Sequence, residues 1–423
     1  MDSLNNAKTF KSIQAFIFLV GLFLLWGVAS NLNLILLPDF NYIFKLNSLQ
    51  LGLIQVVFYV GYFVAALPAS WVMNTYDFKA GIIIGLLLYG VGSFLFFPAT
   101  DLLLFNLFIL ALFIIAAGLS FLETASNPFV LSLGSPKRAI MRLNIAQSFN
   151  PIGFFFSIMI SQVFANYFGP VSVELIQENP SVTEDVFLTS ASHSVLMPYL
   201  IVGIIAIIWA LLIFLIKFPI NEDDNERKLA SSKPLQLIKS QSLLRNAILA
   251  QFFYMGAQVG IWNFIPDYAL ELGLGSSPIN NYLIFSFVIF MIGRFASSFL
   301  MFFFPAHKLL AIYAILSVLT LGLAIILGGY SALMLVVALN FFMSLMFPTI
   351  FGLGLSGIRQ AMKTGSALIV MGMIGGAILA SLMKQISNYT TSLLPTLFVP
   401  TIGFLVVFWF AYHAKNEDHY SMR

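Results

Sequence analysis

The chain has no cysteine, so disulfides, thiolate metal sites and thiol nucleophiles are all excluded. It is also poor in charge: Asp, Glu, Lys and Arg make up 9% of its 423 residues. A soluble domain carries about 25%, so this surface cannot face water all round. Basic residues are missing altogether between Arg142 and Lys217. The four His residues, His193, His307, His413 and His419, fall at or beyond the ends of apolar stretches. No nucleophile–base pair, metal cluster or phosphate-binding loop can be assembled, which argues against an enzyme, and neither a cofactor nor a nucleic-acid partner is expected.

Apolar sequence fills the space. Hydrophobic residues account for 60% of the chain, 45 of them Phe. A bilayer-spanning helix needs roughly 20 consecutive apolar residues. Twelve such stretches are predicted, at 13–37, 48–73, 80–99, 103–131, 140–165, 195–217, 244–268, 279–303, 308–328, 331–355, 363–385 and 392–413. They are continuously apolar rather than alternating, so helices and not barrel strands are expected. The first is too long and apolar for a signal-peptide core and reads as a retained span.

The scarce basic residues orient the spans. Lys8, Lys11, Lys79, Lys137, Arg138, Arg142, Lys308, Arg359, Lys363, Lys415 and Arg423 fall on one side, and Lys45 and Lys384 on the other. Basic residues favour the cytoplasmic side, so both termini are expected there, in an inner (plasma) membrane. The stretch FPINEDDNERKLASSKPLQLIKSQS at 218–242 divides six spans from six. It sets the expected domains: a six-helix bundle over 1–217, a cytoplasmic linker over 218–243, and a second bundle over 244–423. The acidic stretch 166–194 reads as an outside connector.

The halves repeat each other. Gly61 to Lys79 corresponds to Gly293 to Lys308, and SNPFVLSLG matches MFPTIFGLG, pairing Pro128 with Pro348 and Gly134 with Gly354. Two six-helix repeats around a midplane site constitute the major facilitator architecture, which works by rocking of the halves. The expected fold is therefore an all-α polytopic membrane protein with two six-helix pseudo-repeats.

Polar residues inside spans mark the candidate site. Glu123 is the only acidic residue deep within a span, and such a group normally faces a bundle interior or a water-filled cavity. Around it stand Asn31, Gln55, Tyr59, Thr124, Asn127, Asn144, Gln147 and Asn150, with Gln251, Tyr254, Gln258, Trp262 and Asn263 in the second half. Gln147 and Asn150 are one helical turn apart and so share a face. Amides supply donors and acceptors to hydroxyls while aromatic rings cover apolar faces, which suits a sugar. The same amides also serve as glue between helices. No basic residue is expected at mid-depth, and Arg294 is assigned to the cytoplasmic end of its span as a gate or loop contact.

Several segments resemble the sugar-transporting fucose permease group of the major facilitator superfamily: FLLWGVASNLNLILLP, GLIQVVFYVGYFVAALPA, AAGLSFLETASNPFV, RLNIAQSFNPIG, AQFFYMGAQVGIW and FPTIFGLG. The resemblance implies cation-coupled uptake of monosaccharides, usually with protons. By position, Glu123 resembles the group's coupling glutamate, and Asn31, Gln147 and Asn150 resemble its sugar-contacting residues. One departure stands out. Members of the group usually read NLND in the first helix where this chain reads NLNL, so Leu34 replaces an aspartate.

The reading is a secondary transporter of a small neutral polar solute, most simply a monosaccharide, by proton symport. Glu123 is the expected coupling residue. Asn31, Tyr59, Asn127, Gln147, Asn150, Tyr254, Gln258 and Trp262 are the expected binding residues. The expected partners are that solute, the coupling ion and the lipid bilayer, and a monomer is expected. An uncoupled or sodium-coupled transporter, or an exporter of another metabolite, stays open as an alternative, and a non-transporting membrane sensor is a more distant one.

Overall fold

The computed structural model describes residues 2–168, 184–216 and 233–416, and the side chains of Asn33 and Leu34 are among those outside the description. Among the described residues, twelve helices are long and apolar enough to cross a membrane. Spans 1 to 6 are Lys11–Leu32, Leu49–Thr75, Phe78–Asp101, Phe105–Ser132, Pro136–Phe164 and Leu196–Leu215. Spans 7 to 12 are Ser242–Glu271, Pro278–Leu300, Ala306–Leu327, Gly329–Gly354, Arg359–Ser387 and Leu394–His413. Each expected span finds its counterpart. Hydrocarbon offers no partner to a backbone amide, so apolar runs of this length satisfy their polar groups within a helix.

Local signals set several helix ends. Asn47 and Gln50 form a reciprocal capping box ahead of span 2, both bonds being 2.9 Å. Asp77 caps span 3 by accepting the Ala80 N–H at 2.7 Å. Most of the 218–243 linker lies outside the described residues. Its described end is a helix, Pro234–Ser240, that packs on spans 7 and 11.

Glycine lets the spans approach closely. A Cβ on Gly153 would sit 2.5 Å from the Leu24 carbonyl and the Val28 N–H, so spans 1 and 5 touch backbone to backbone. The repeat-related glycines play matching parts. Gly61 presses span 2 against Ala116 and Phe113 of span 4, and Gly293 presses span 8 against Phe341 and Ser344 of span 10. Gly134 and Gly354 do not match in conformation: Gly134 turns the chain at φ 70°, whereas Gly354 closes a helix.

The halves meet through spans 2, 4 and 5 on one side and spans 8, 10 and 11 on the other. A group of their polar contacts lies toward one end of the bundle. Thr364 joins Ser70 at 3.3 Å and Asn74 at 3.2 Å. Lys363 donates to the Met73 carbonyl at 2.8 Å and lies over the Phe78 ring. Asn144 donates to Thr349 at 3.2 Å. That end carries Lys79, Lys137, Arg138, Arg359 and Lys363, and it is closed.

Candidate functional site

A cavity of about 360 Å³ opens between the halves toward the opposite end. Its mouth is bounded by Leu51 and Pro266, and its floor by Glu123, Arg294 and Phe347. Amides from four spans line it: Asn31, Gln55, Gln147, Asn150, Gln258 and Asn263. Aromatic rings fill the gaps, with Trp26, Phe58, Tyr59 and Tyr62 from the first half and Trp262, Phe287 and Phe290 from the second. Cavities of this size hold small molecules. The chemistry is that of a ligand with several hydroxyls and an apolar face.

Helix interruptions aim some of these groups. Span 5 ends one helix at Gln147 and starts another at Asn150, so the two amides reach the cavity from either side of a break rather than along one unbroken face. The Asn150 side chain donates to the Phe23 carbonyl at 3.4 Å, and that of Asn31 to its own helix at the Gly27 carbonyl, at 2.6 Å. Trp262 is held by its indole N–H, donated to Asn340 at 2.9 Å, with its ring 4.9 Å from that of Phe287. The Trp26 indole N–H reaches the Tyr62 hydroxyl at 3.2 Å.

The floor is a charged and amide network. Glu123 has no accessible surface, and neither of its carboxyl oxygens makes a hydrogen bond within the described structure. Asn127 stands one turn along the same helix, and the Arg294 guanidinium borders the same cavity floor. The Gln147 side chain donates to Asn127 at 2.8 Å and accepts from Arg294 at 3.2 Å. Arg294 also donates to the Gln147 carbonyl at 2.6 Å and the Ser344 carbonyl at 2.8 Å, and its cation lies 4.9 Å from the centre of the Phe290 ring.

Six of the eight expected binding residues line the cavity: Asn31, Tyr59, Gln147, Asn150, Gln258 and Trp262. Two do not. Asn127 is fully buried behind Gln147, which it orients. Tyr254 is fully buried too and donates its hydroxyl to the Met343 carbonyl at 3.0 Å, so it braces span 7 against span 10. Asn144 likewise joins the halves and does not face the cavity.

Arg294 is a correction. It was expected at a span end, yet it is 5% exposed and borders the cavity floor, so a basic residue does lie at the depth of Glu123. Its long side chain starts beside Gly293, where span 8 packs tightly on span 10, and runs inward to carbonyl acceptors. Trp26, Tyr62, Phe287 and Phe290 are further cavity residues that sequence reasoning missed. Nothing distinguishes these rings from the lipid-facing ones in a chain with 45 Phe.

The family model described as Major Facilitator Superfamily matches residues 18–381. The chain is 39% identical over 416 residues to an L-fucose-proton symporter of Escherichia coli (strain K12), covering 94% of this chain and 92% of that protein. It is 31% identical over 390 residues to a glucose/galactose transporter of Brucella abortus biovar 1, covering 90% and 91% respectively. Among solved structures it resembles that of the transporter FucP in the outward conformation, with a TM-score of 0.85, 38% identity, and coverage of 96% of this chain and 99% of that one.

Proposed function

The chain belongs to the Major Facilitator Superfamily, and on that premise we propose that it is a proton-coupled monosaccharide symporter working by alternating access. The observation that carries this reading is a cavity lined by six amides and by aromatic rings, floored by a buried carboxyl. Relatives described as an L-fucose-proton symporter and a glucose/galactose transporter support the cargo class.

In this account the cavity faces outward, and the closed, lysine- and arginine-rich end faces the cytoplasm, with both termini and the 218–243 linker on that side of an inner membrane. The bundles 1–217 and 244–423 rock about the cavity. Asn31, Gln147, Asn150 and Gln258 hold the sugar hydroxyls, and Tyr59 and Trp262 cover its apolar face. Asn127 acts from behind, by fixing the Gln147 amide.

Glu123 carries the proton. An unpartnered charge is costly at this depth, and Arg294 is the cation that offsets it when the proton leaves. Protonation cancels the attraction between Glu123 and Arg294, so Arg294 is bound differently in the two proton states. That difference is what ties proton flux to the movement of the halves. Sugar binding favours one of these states and so couples to the proton. Leu34 leaves Glu123 as the single acid at this depth, so one proton site suffices. Spans of one chain line the whole cavity, so a monomer suffices in this account.

The test is uptake of labelled neutral hexoses and 6-deoxyhexoses into proteoliposomes. Accumulation is expected when the outside is acidic relative to the lumen, and collapse of the gradient by a protonophore should abolish it. Uptake that follows a sodium gradient and ignores pH would replace the proton in this account. Reporter fusions at residues 180 and 230 should lie on opposite sides of the membrane.

A further inference from the structure

Proline has no N–H, so within a helix it leaves the carbonyl four residues earlier without its usual partner. In a membrane such a carbonyl must be satisfied by a neighbouring helix, a side chain or water. Three prolines in this chain free carbonyls around the cavity floor, and each carbonyl has a named occupant.

Gln147 closes the first helix of span 5, and Pro151, at the start of the next, has no N–H to offer its carbonyl, which accepts from Arg294 Nη1 at 2.6 Å. Ser344 follows the helix that ends at Met343, and Pro348, in the first turn of the helix Met346–Gly354, has no N–H to offer the Ser344 carbonyl, which accepts from Arg294 Nε at 2.8 Å. Pro128 frees that of Thr124, which accepts from the Ser366 hydroxyl at 2.7 Å. Gln147 belongs to the first half, whereas Ser344 and Arg294 belong to the second. One guanidinium therefore spans two proline-freed carbonyls, one in each half. Ser366 makes a second bond between the halves, at the residue next to Glu123.

We propose that Pro151 and Pro348 are positioning residues of the transport cycle, because the two carbonyls they free are the seats between which Arg294 bolts the halves together in the cavity-open state. The proposal rests on the alternating-access reading above. Its physical content is that the fork of an arginine can hold two acceptors in fixed directions, while a charged donor makes each bond stronger than a neutral one would. A carbonyl with no helical donor is free to take that bond at full strength. It does not titrate, so the bolt senses the proton only through the field of Glu123 on Arg294. Pro128 and Ser366 add a second contact between the halves at the floor, from a neutral donor.

The natural absence of cysteine allows a direct test. Ile140, near the closed end, packs against Gly352 across the halves, so Ile140→Cys reports opening of that end. Its alkylation by a membrane-permeant maleimide is expected to be slow in the otherwise unchanged chain. Pro151→Ala and Pro348→Ala return an N–H that competes for the seat, and each should speed labelling roughly fivefold or more. Pro98→Ala, in span 3, which packs on spans 2, 4 and 6 of its own half, should leave labelling unchanged.

Arg294→Lys keeps the charge but loses the fork, and it too should speed labelling; it carries the test if a proline variant does not fold. Labelling of the folded Pro151→Ala and Pro348→Ala variants at the parent rate, or of Arg294→Lys at the parent rate, would overturn the proposal. Because labelling is read without cargo, a wrong substrate assignment leaves it untouched. Normal bolt behaviour with no sugar uptake would count against the transport reading alone.

Discussion

The Gln147 side chain donates its N–H to Asn127 at 2.8 Å, so a residue that does not line the cavity decides how a cavity amide is presented. Asn127→Ala should therefore weaken cargo binding about tenfold, within the ~1–3 kcal/mol expected when a buried group loses its partner. Titration calorimetry with a transported sugar would read it. Affinity equal to the parent would mean that Gln147 is positioned by Arg294 alone.

Trp262 offers a second case in which shape and hydrogen bonding separate. Trp262→Phe keeps an aromatic ring beside Phe287 but removes the donor to Asn340, which is fully buried. The Asn340 oxygen then lacks that donor at a cost of about 1–3 kcal/mol. The expected result is a Tm lowered by a few degrees with sugar affinity largely kept, whereas Trp262→Ala should lose affinity as well. Thermal shifts with and without sugar distinguish the two.

The backbone contact between spans 1 and 5 predicts a contrast between two glycines. Gly153→Ala places a methyl 2.5 Å from backbone atoms of Leu24 and Val28, which cannot turn aside, and should destabilise by roughly 1–3 kcal/mol or prevent insertion. Gly322→Ala meets nothing within 4 Å in the middle of span 9 and should be neutral or stabilising by up to about 1 kcal/mol. Thermal unfolding monitored by size-exclusion fluorescence would compare them. Equal loss in both would remove the close-contact explanation.

Depth along the membrane was legible in the sequence, because runs of apolar residues count it out at 1.5 Å per residue. The twelve spans, the repeat-related Gly61 and Gly293, and the level of Glu123 were all read in this way. Direction around each helix was not legible. A span that is apolar on every side carries no stripe to show which face looks inward. Tyr254 and Gln258 therefore look alike in sequence, although Tyr254 braces span 10 and Gln258 meets the cavity. Arg294 was misplaced for a related reason. The count placed it near the end of span 8, but its long side chain reaches the carbonyls of Gln147 and Ser344. Those acceptors lie at the helix breaks within spans 5 and 10, which no run of apolar residues announces.

The central claim is that Glu123 alone carries the proton. Glu123→Gln keeps the size of the side chain and its capacity to hydrogen-bond, but it cannot release a proton, so it should resemble the permanently neutral form. The decisive measurement is sugar movement in proteoliposomes, parent against Glu123→Gln, once as exchange of labelled for unlabelled sugar and once as net uptake under an imposed pH difference. The account predicts that the variant retains exchange and loses all accumulation above equilibrium. A variant that still concentrates sugar with the proton gradient would place the coupling group elsewhere and contradict it.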